Sequence, residues 1–130
     1  MLKDFAEKLT VIFLLDAQQP HKVVLLQRGS ERKFAPNFWT GLGGKIELEK
    51  DSDQLAGAER ELSEETKGAI RVPLHEFARV NINNLKILCY FWGIYQTEDL
   101  PACTEGTLHW VSLADTLSKD IIPTTKFPVT

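Results

Sequence analysis

Apolar and polar positions alternate or cluster with a period that changes along the chain, and the changes mark the elements. Thr10 to Leu15 (TVIFLL) and Lys22 to Gln27 (KVVLLQ) are short β-branched runs separated by the turn-rich DAQQPH, which predicts two buried strands with Pro20 in their connection. Between Asp51 and Lys67 the period becomes helical. Leu55, Ala58, Leu62 and Thr66 make an inward stripe, Asp51, Ser52 and Asp53 are all suitable N-caps, and Gly68 follows the expected end. From Ala69 strand patterning returns, AIRVPLHEFARVNI and then LKILCYFWGIYQT around an Asn83-Asn84 turn, which reads as a hairpin. In its second arm Leu88, Tyr90, Trp92 and Ile94 face one way and Ile87, Cys89, Phe91 and Tyr95 the other, as in a central strand covered on both faces. After the loop EDLPACTEGT come a short strand at Leu108 to Val111 and a helix from Leu113 to about Leu117. The expectation is an α/β (α+β) fold, a mixed sheet sandwiched between helices.

Two stretches carry more than core patterning. Glu61, Glu64 and Glu65 stand at i, i+3 and i+4 of the predicted helix, so their carboxylates share an arc of roughly 100° on one face. Most such faces are solvated surface, but like charges this close repel. They are relieved by basic side chains or by a hard divalent cation such as Mg²⁺. Upstream, Trp39 to Ile46 (WTGLGGKI) alternates apolar residues with glycines, which suits a bending strand whose backbone something approaches closely. Gly57 costs the helix about 1 kcal/mol relative to alanine. The preceding loop, RGSERKFAPNFW, offers Arg28, Arg32 and Lys33 either to phosphates or to solvent. Phe34, Phe38 or Trp39 can stack on a base, or Trp39 can belong to the core.

A length of 130 residues fits one domain over 1–130, with about two thirds of the unfolded surface buried. The net charge of −3 supplies no basic stripe for a nucleic-acid polymer, while leaving room for a local basic pocket that takes one small phosphate ligand. The apolar run near the N-terminus is too short for a signal peptide, and Ile87 to Tyr95 is far below the ~18 residues of a membrane span. Cys89 and Cys103 lack metal-ligand or disulfide spacing, and His21, His75 and His109 form no metal motif. A cytoplasmic protein with reduced thiols and no membrane partner is expected. Its oligomeric state is left open.

Gly43-Gly44-Lys45-Ile46-Glu47 ahead of Arg60-Glu61-Leu62-Ser63-Glu64-Glu65-Thr66 resembles the Nudix box, the loop-helix-loop signature of hydrolases acting on nucleoside diphosphates linked to another moiety. The resemblance implies that Glu61, Glu64 and Glu65 bind Mg²⁺, or Mn²⁺ in its place, together with the Gly43 carbonyl. It makes Arg60 the arginine that orients the carboxylates and sets Lys45 beside the phosphates, unless Lys45 instead pairs with a neighbouring acid. Glu105, in TEGTLHW, falls where many members place a further acid, a ligand or base; its other reading is an exposed loop acid. Two departures from the box stand at the helix ends. Glu49 follows Gly43 by six residues, but its interval to Arg60 is three residues longer than usual, so either Glu49 or another acid pairs with Arg60. Lys67 separates Thr66 from Gly68.

The likeness extends to MutT-type nucleoside triphosphate hydrolases through FWTGLGGKI and HWVSLADTLSKDIIP, with Thr40 in place of a base-contacting Asn, Ile122 in place of a stacking Trp and Thr124-Thr125 in place of an Asp pair. Specificity for oxidised purines therefore does not carry over. The implied reaction converts a nucleoside triphosphate to monophosphate and pyrophosphate. The alternatives are a nucleotide-sugar or dinucleoside polyphosphate hydrolase, and a non-catalytic nucleotide-binding module.

Overall fold

In a computed structural model the described residues are 7–18, 22–33, 36–47, 49–96, 99–112 and 114–115. The elements are β1 (Glu7–Asp16), β2 (Lys22–Arg28), β3 (Trp39–Thr40), α1 (Gln54–Glu65), β4 (His75–Ile82), β5 (Lys86–Tyr95) and β6 (Gly106–Ser112). They build one mixed sheet in the order β3-β2-β1-β5-β4, with β6 on the other edge of β2. β1 and β5 run parallel from Glu7↔Lys86 to Asp16↔Tyr95, and the remaining ladders are antiparallel.

The sheet contains a split that places the candidate site. β1 pairs with β2 only at Leu14↔Val24 and Leu15↔Val23. Beyond that point the same edge of β2 takes β3 instead, at Leu26↔Thr40 and Gln27↔Trp39. The chain then crosses to β1 through single bridges at Ile12↔Leu42 and Leu9↔Lys45. The expected bending strand from Trp39 to Ile46 is therefore a two-residue strand followed by a bridged, glycine-rich crossing. That crossing wedges open one end of the sheet and puts Gly43 and Gly44 between β1 and α1.

Side-chain parity sorts the core onto two faces. Ile12, Leu14, Val24, Leu26 and Phe91 pack with Leu42, Ala58 and Leu62 on the α1 side. Val11, Phe13, Val23, Leu25, Leu88, Tyr90 and Val111 fill the other. Within β5, Leu88 and Tyr90 go to one cluster and Ile87, Cys89, Phe91 and Tyr95 to the opposite one, as its alternation requires.

Asp53 caps α1, its side chain accepting from the Ala56 N–H, and Thr66 closes it. Lys67 and Gly68 follow with φ of 54° and 80°, a left-handed exit from the helix. Leu55 corrects the expected inward stripe, being 39% exposed. In the first turns of α1 the buried position is Gly57. A Cβ at Gly57 would meet Ile46 Cγ1 at 3.0 Å and Asp51 Oδ2 at 3.1 Å, so close packing accounts for a glycine inside a helix.

Two strand expectations also change. Residues 69–74 are not strand, and β4 starts at His75, because Pro73 has no N–H to give a ladder. Ile70 and Leu74 nonetheless bury themselves in the core. β6 is longer than Leu108 to Val111, pairing with β2 along all seven of its residues. The hairpin turn holds Asn83 and Asn84 at φ 52° and 58°, values that asparagine tolerates. Of the helix expected from Leu113 to Leu117, only Ala114 and Asp115 are among the described residues, and both are exposed. α1 is the one α-helix among the described residues.

Candidate active site

Gly43 is where the crossing, β1 and α1 meet. It takes φ +132°, and a Cβ there would stand 2.1 Å from the Thr10 carbonyl oxygen, so only glycine fits. Next to it Gly44 is stitched to β1. The Thr10 N–H donates to the Gly44 carbonyl at 2.8 Å, and the Thr10 hydroxyl accepts from the Gly44 N–H and donates to its carbonyl, each at 3.1 Å. Nothing in the sequence around Thr10 marks this role, because its only signal is a hydroxyl within an otherwise apolar strand.

Docked this way, the Gly43 N–H donates to Glu65 Oε1 at 2.7 Å. Glu65 is only 5% exposed, and its Oε2 is buried without a hydrogen-bond partner among the described residues. Burial pushes its carboxyl up to about 9, opposed by the Gly43 N–H and assisted by the charges of Glu105 and Glu61. Burial raises Glu61 as well, against the pull of Arg60. Glu61, Glu64, Glu65, Gly43, Gly44, Lys45, Thr104 and Glu105 together line a cavity of about 470 Å³. The Thr104 N–H donates to the Glu65 carbonyl at 3.2 Å, tying the segment before β6 to the end of α1.

Arg60 is the hub of the acidic face. Its Nε and Nη2 meet Asp51 Oδ1 and Oδ2 at 2.8 and 2.9 Å, and Nη2 also donates to the Lys45 carbonyl at 3.0 Å. Nη1 faces Glu64 at 3.0 Å, Glu61 at 3.2 Å and Glu47 at 3.4 Å. The partner of Arg60 is thus Asp51 in a two-pronged pair, while Glu49 is exposed. The inserted residues coil into a turn in which Lys50 and Asp51 donate to the Glu47 carbonyl, and Asp51 in return accepts from the Glu47 N–H at 2.8 Å. That turn delivers Asp51 under the guanidinium. EKDSD signalled an acid in this region without saying which one.

The Asp51 side chain is 2% exposed, and the Arg60 hydrogen bond holds its carboxyl below the ordinary 3.8 despite its burial. A depressed carboxyl contributes stability that is complete above its unfolded pKa and is lost as pH falls through the folded one. Wild type should therefore lose its advantage over Asp51→Asn as pH drops below about 3.9, when unfolding is followed in urea across an acid series. A gap that stays constant down to pH 2 would remove the pair from acid sensitivity.

The remaining candidate residues are distributed unevenly. Lys45 lines the cavity and its Nζ pairs with Glu7 at 3.6 Å. Glu105 also lines it and pairs with Arg32 at 3.2 Å. Arg28 ends β2 opposite Gly106, beside Glu105, and does not line the cavity. Thr40 is half-buried opposite Leu26. Trp39 lies half-buried against the second core cluster, its ring 5.1 Å from that of His109, away from the cavity. Phe34, Ile122, Thr124 and Thr125 lie outside the described residues.

Among the described residues no three His, Cys, Asp or Glu side chains converge as they stand on a metal position; Arg60 Nη1 draws Glu61 and Glu64 towards itself instead. The donor chemistry nonetheless fits a hard cation. It offers carboxylate oxygens round one cavity, one of them buried and unpartnered.

A mixed sheet flanked by a helix, with a paired-glycine crossing locked onto an acidic helix face, defines a small α+β protein with an acid-lined cavity at one end of its sheet. The chain belongs to the Nudix family, the NUDIX domain matching residues 7–128. Similar solved structures include the NUDIX domain of Shewanella oneidensis NrtR complexed with ADP ribose, 18% identical with a TM-score of 0.69 over 89% of this chain and 79% of that one. The MutT protein from Methanosarcina mazei Go1 is 21% identical, with a TM-score of 0.69 over 92% and 86%. The MutT structure from the study of Aliivibrio salmonicida and Vibrio cholerae is 19% identical, with a TM-score of 0.65 over 95% and 88%. Comparison with curated proteins gives no match. Family membership sets the general chemistry as hydrolysis of pyrophosphate bonds in nucleoside diphosphate derivatives. No described helix is long and apolar enough to cross a membrane.

Proposed function

We propose that this chain is a Mg²⁺-dependent pyrophosphohydrolase that converts a nucleoside triphosphate to monophosphate and pyrophosphate. The observation that carries the reading is Glu65, a buried carboxylate with one oxygen held by the Gly43 N–H and the other unpartnered, at a cavity walled by Glu61, Glu64 and Glu105. Leaving a buried acid half-satisfied is costly, and a cation offsets that cost. Glu61, Glu64, Glu65 and the Gly43 carbonyl would hold Mg²⁺, or Mn²⁺ in its place. When bound, the ion supplies charge neutralisation at the phosphate oxygens and a lowered pKa for its water.

The chain's own residues do the rest. Arg60, anchored by Asp51, holds Glu61 and Glu64 on the cavity side of α1. Lys45 faces incoming phosphates. Glu105, at the cavity wall, would accept the proton of a water whose oxygen attacks phosphorus as the anhydride P–O bond breaks and pyrophosphate leaves. Arg28, Thr40, Trp39, Phe34 and Ile122 are the candidates for the remainder of the nucleotide. The free thiols of Cys89 and Cys103 suit the reducing cytoplasm.

A second reading has an observation of its own. The neighbour NrtR domain is complexed with ADP ribose, so a nucleoside diphosphate derivative, hydrolysed or merely bound, is the competing ligand. Release of phosphate and pyrophosphate should be measured over a panel of nucleoside triphosphates, ADP-ribose, nucleotide sugars and dinucleoside polyphosphates with Mg²⁺. Turnover of a triphosphate to monophosphate and pyrophosphate is the expected result. Ligands that raise the melting temperature without being cleaved would make the chain a binding module. With an active substrate in hand, Glu64→Gln should lower turnover at least ~100-fold with the fold retained, and activity near wild type would remove Glu64 from the mechanism.

A further inference from the structure

The loop after β2 and the segment before β6 are joined at one residue, Glu105. The Gly29 N–H donates to the Glu105 carbonyl at 3.3 Å, and a turn in which the Arg32 N–H donates to the Gly29 carbonyl at 3.2 Å brings the Arg32 side chain back along the same path. Arg32 Nη2 then reaches Glu105 Oε1 at 3.2 Å across 73 positions of sequence. The backbone behind Glu105 has little freedom. A Cβ on Gly106 would fall 2.0 Å from the Gln27 carbonyl oxygen, and Thr104 is bonded to the end of α1.

Only the Glu105 side chain, 35% exposed, is left to choose a direction. Across the cavity the charge of Glu61 opposes that of Glu105, while burial keeps the neighbouring Glu65 carboxyl in its neutral form until a cation binds there. Repulsion between carboxylates favours turning Glu105 out to solvent, and among the described residues Arg32 is the cation in contact with it.

We propose that Arg32 is a positioning residue, which holds the Glu105 carboxylate over the cavity against repulsion from Glu61. The inference rests on the hydrolytic reading of that cavity, and it assigns Arg32 to the protein's own carboxylate rather than to the substrate. It also gives the loop after β2 a function beyond contact with the nucleotide.

The test is a double-mutant cycle with Arg32→Ala, Glu105→Ala and the combination, each read by Mn²⁺ affinity and by kcat and KM separately. Removing a cation beside an acidic cavity should by charge alone tighten Mn²⁺ binding. Loss of a device that holds a carboxylate in place weakens it instead. Arg32→Ala is therefore expected to weaken Mn²⁺ binding and to lower kcat, each by ~10-fold, with KM within about twofold. In the Glu105→Ala background the same substitution should leave kcat within about twofold, because coupled residues are not additive. Tighter Mn²⁺ binding in Arg32→Ala overturns the proposal, as does a kcat loss that persists without Glu105. A KM rise that persists without Glu105 also overturns it and gives Arg32 to the phosphates. Failure of the hydrolytic reading looks different. Wild type then turns over no nucleotide, and the sign of the Mn²⁺ change alone decides whether Arg32 holds Glu105.

Discussion

Glu65→Gln is expected to lower turnover by roughly 10³-fold while leaving the metal-free protein folded at least as stably as the wild type. The two halves of this result come from the same geometry. Oε1 accepts from the Gly43 N–H, a bond that a glutamine carbonyl can keep. Oε2 is buried with no partner, and burial together with the charges of Glu105 and Glu61 already disfavours its ionised form. An amide reproduces the neutral acid that burial already favours and keeps an N–H donor towards Glu105. Without a cation little is lost; with one, an oxygen ligand is lost. Thermal unfolding in EDTA and again with Mn²⁺ separates the halves: wild type should gain melting temperature with the ion and the variant should not. A variant melting well below wild type in EDTA would show that the Glu65 carboxylate serves the fold itself.

The residues differ in how far they could be read ahead of the structure, and the reason is physical in each case. Strand parity in β5 was legible because a period of two is a local property, and Leu88 and Tyr90 duly part from Cys89 and Phe91. The Glu61, Glu64, Glu65 face was legible from spacing within one helix. Leu55 was not, because a helical wheel gives the direction of a side chain and not the extent of the sheet beneath it. Residues 69–74 carried strand-like composition, yet Pro73 leaves the ladder to begin at His75.

Asp51 was hidden among the acids of EKDSD. Choosing between them required knowing that Asp53 caps the helix while a turn at Glu47 swings Asp51 under Arg60. Thr10 and the Arg32–Glu105 pair act through contacts 34 and 73 positions apart, for which one sequence has no local signal. What was legible is therefore the acidic face of α1, and what was not is the scaffold that aims it.

That scaffold gives the largest expected effect on folding, which separates two adjacent glycines. Gly43→Ala should destabilise the protein by at least ~4 kcal/mol and be recovered mostly unfolded or aggregated. The residue sits at φ +132°, and its new Cβ would stand 2.1 Å from the Thr10 carbonyl oxygen and 2.9 Å from the Thr10 Oγ1. Those are atoms of β1 and of the hydrogen bonds that stitch it to the crossing, so nothing near can move cheaply. Gly44→Ala meets a different obstacle. Its Cβ would lie 2.4 Å from Glu61 Oε2, the far end of a side chain that can rotate away. Gly44→Ala should therefore stay folded, within about 1.5 kcal/mol of wild type, while losing most of its turnover because the Glu61 carboxylate has been displaced. Urea denaturation and activity measured on both variants give the comparison. Equal loss of stability in the two would mean that β1 tolerates an approach at Gly43 which its geometry forbids, and full activity in Gly44→Ala would mean that the position of the Glu61 carboxylate does not govern turnover.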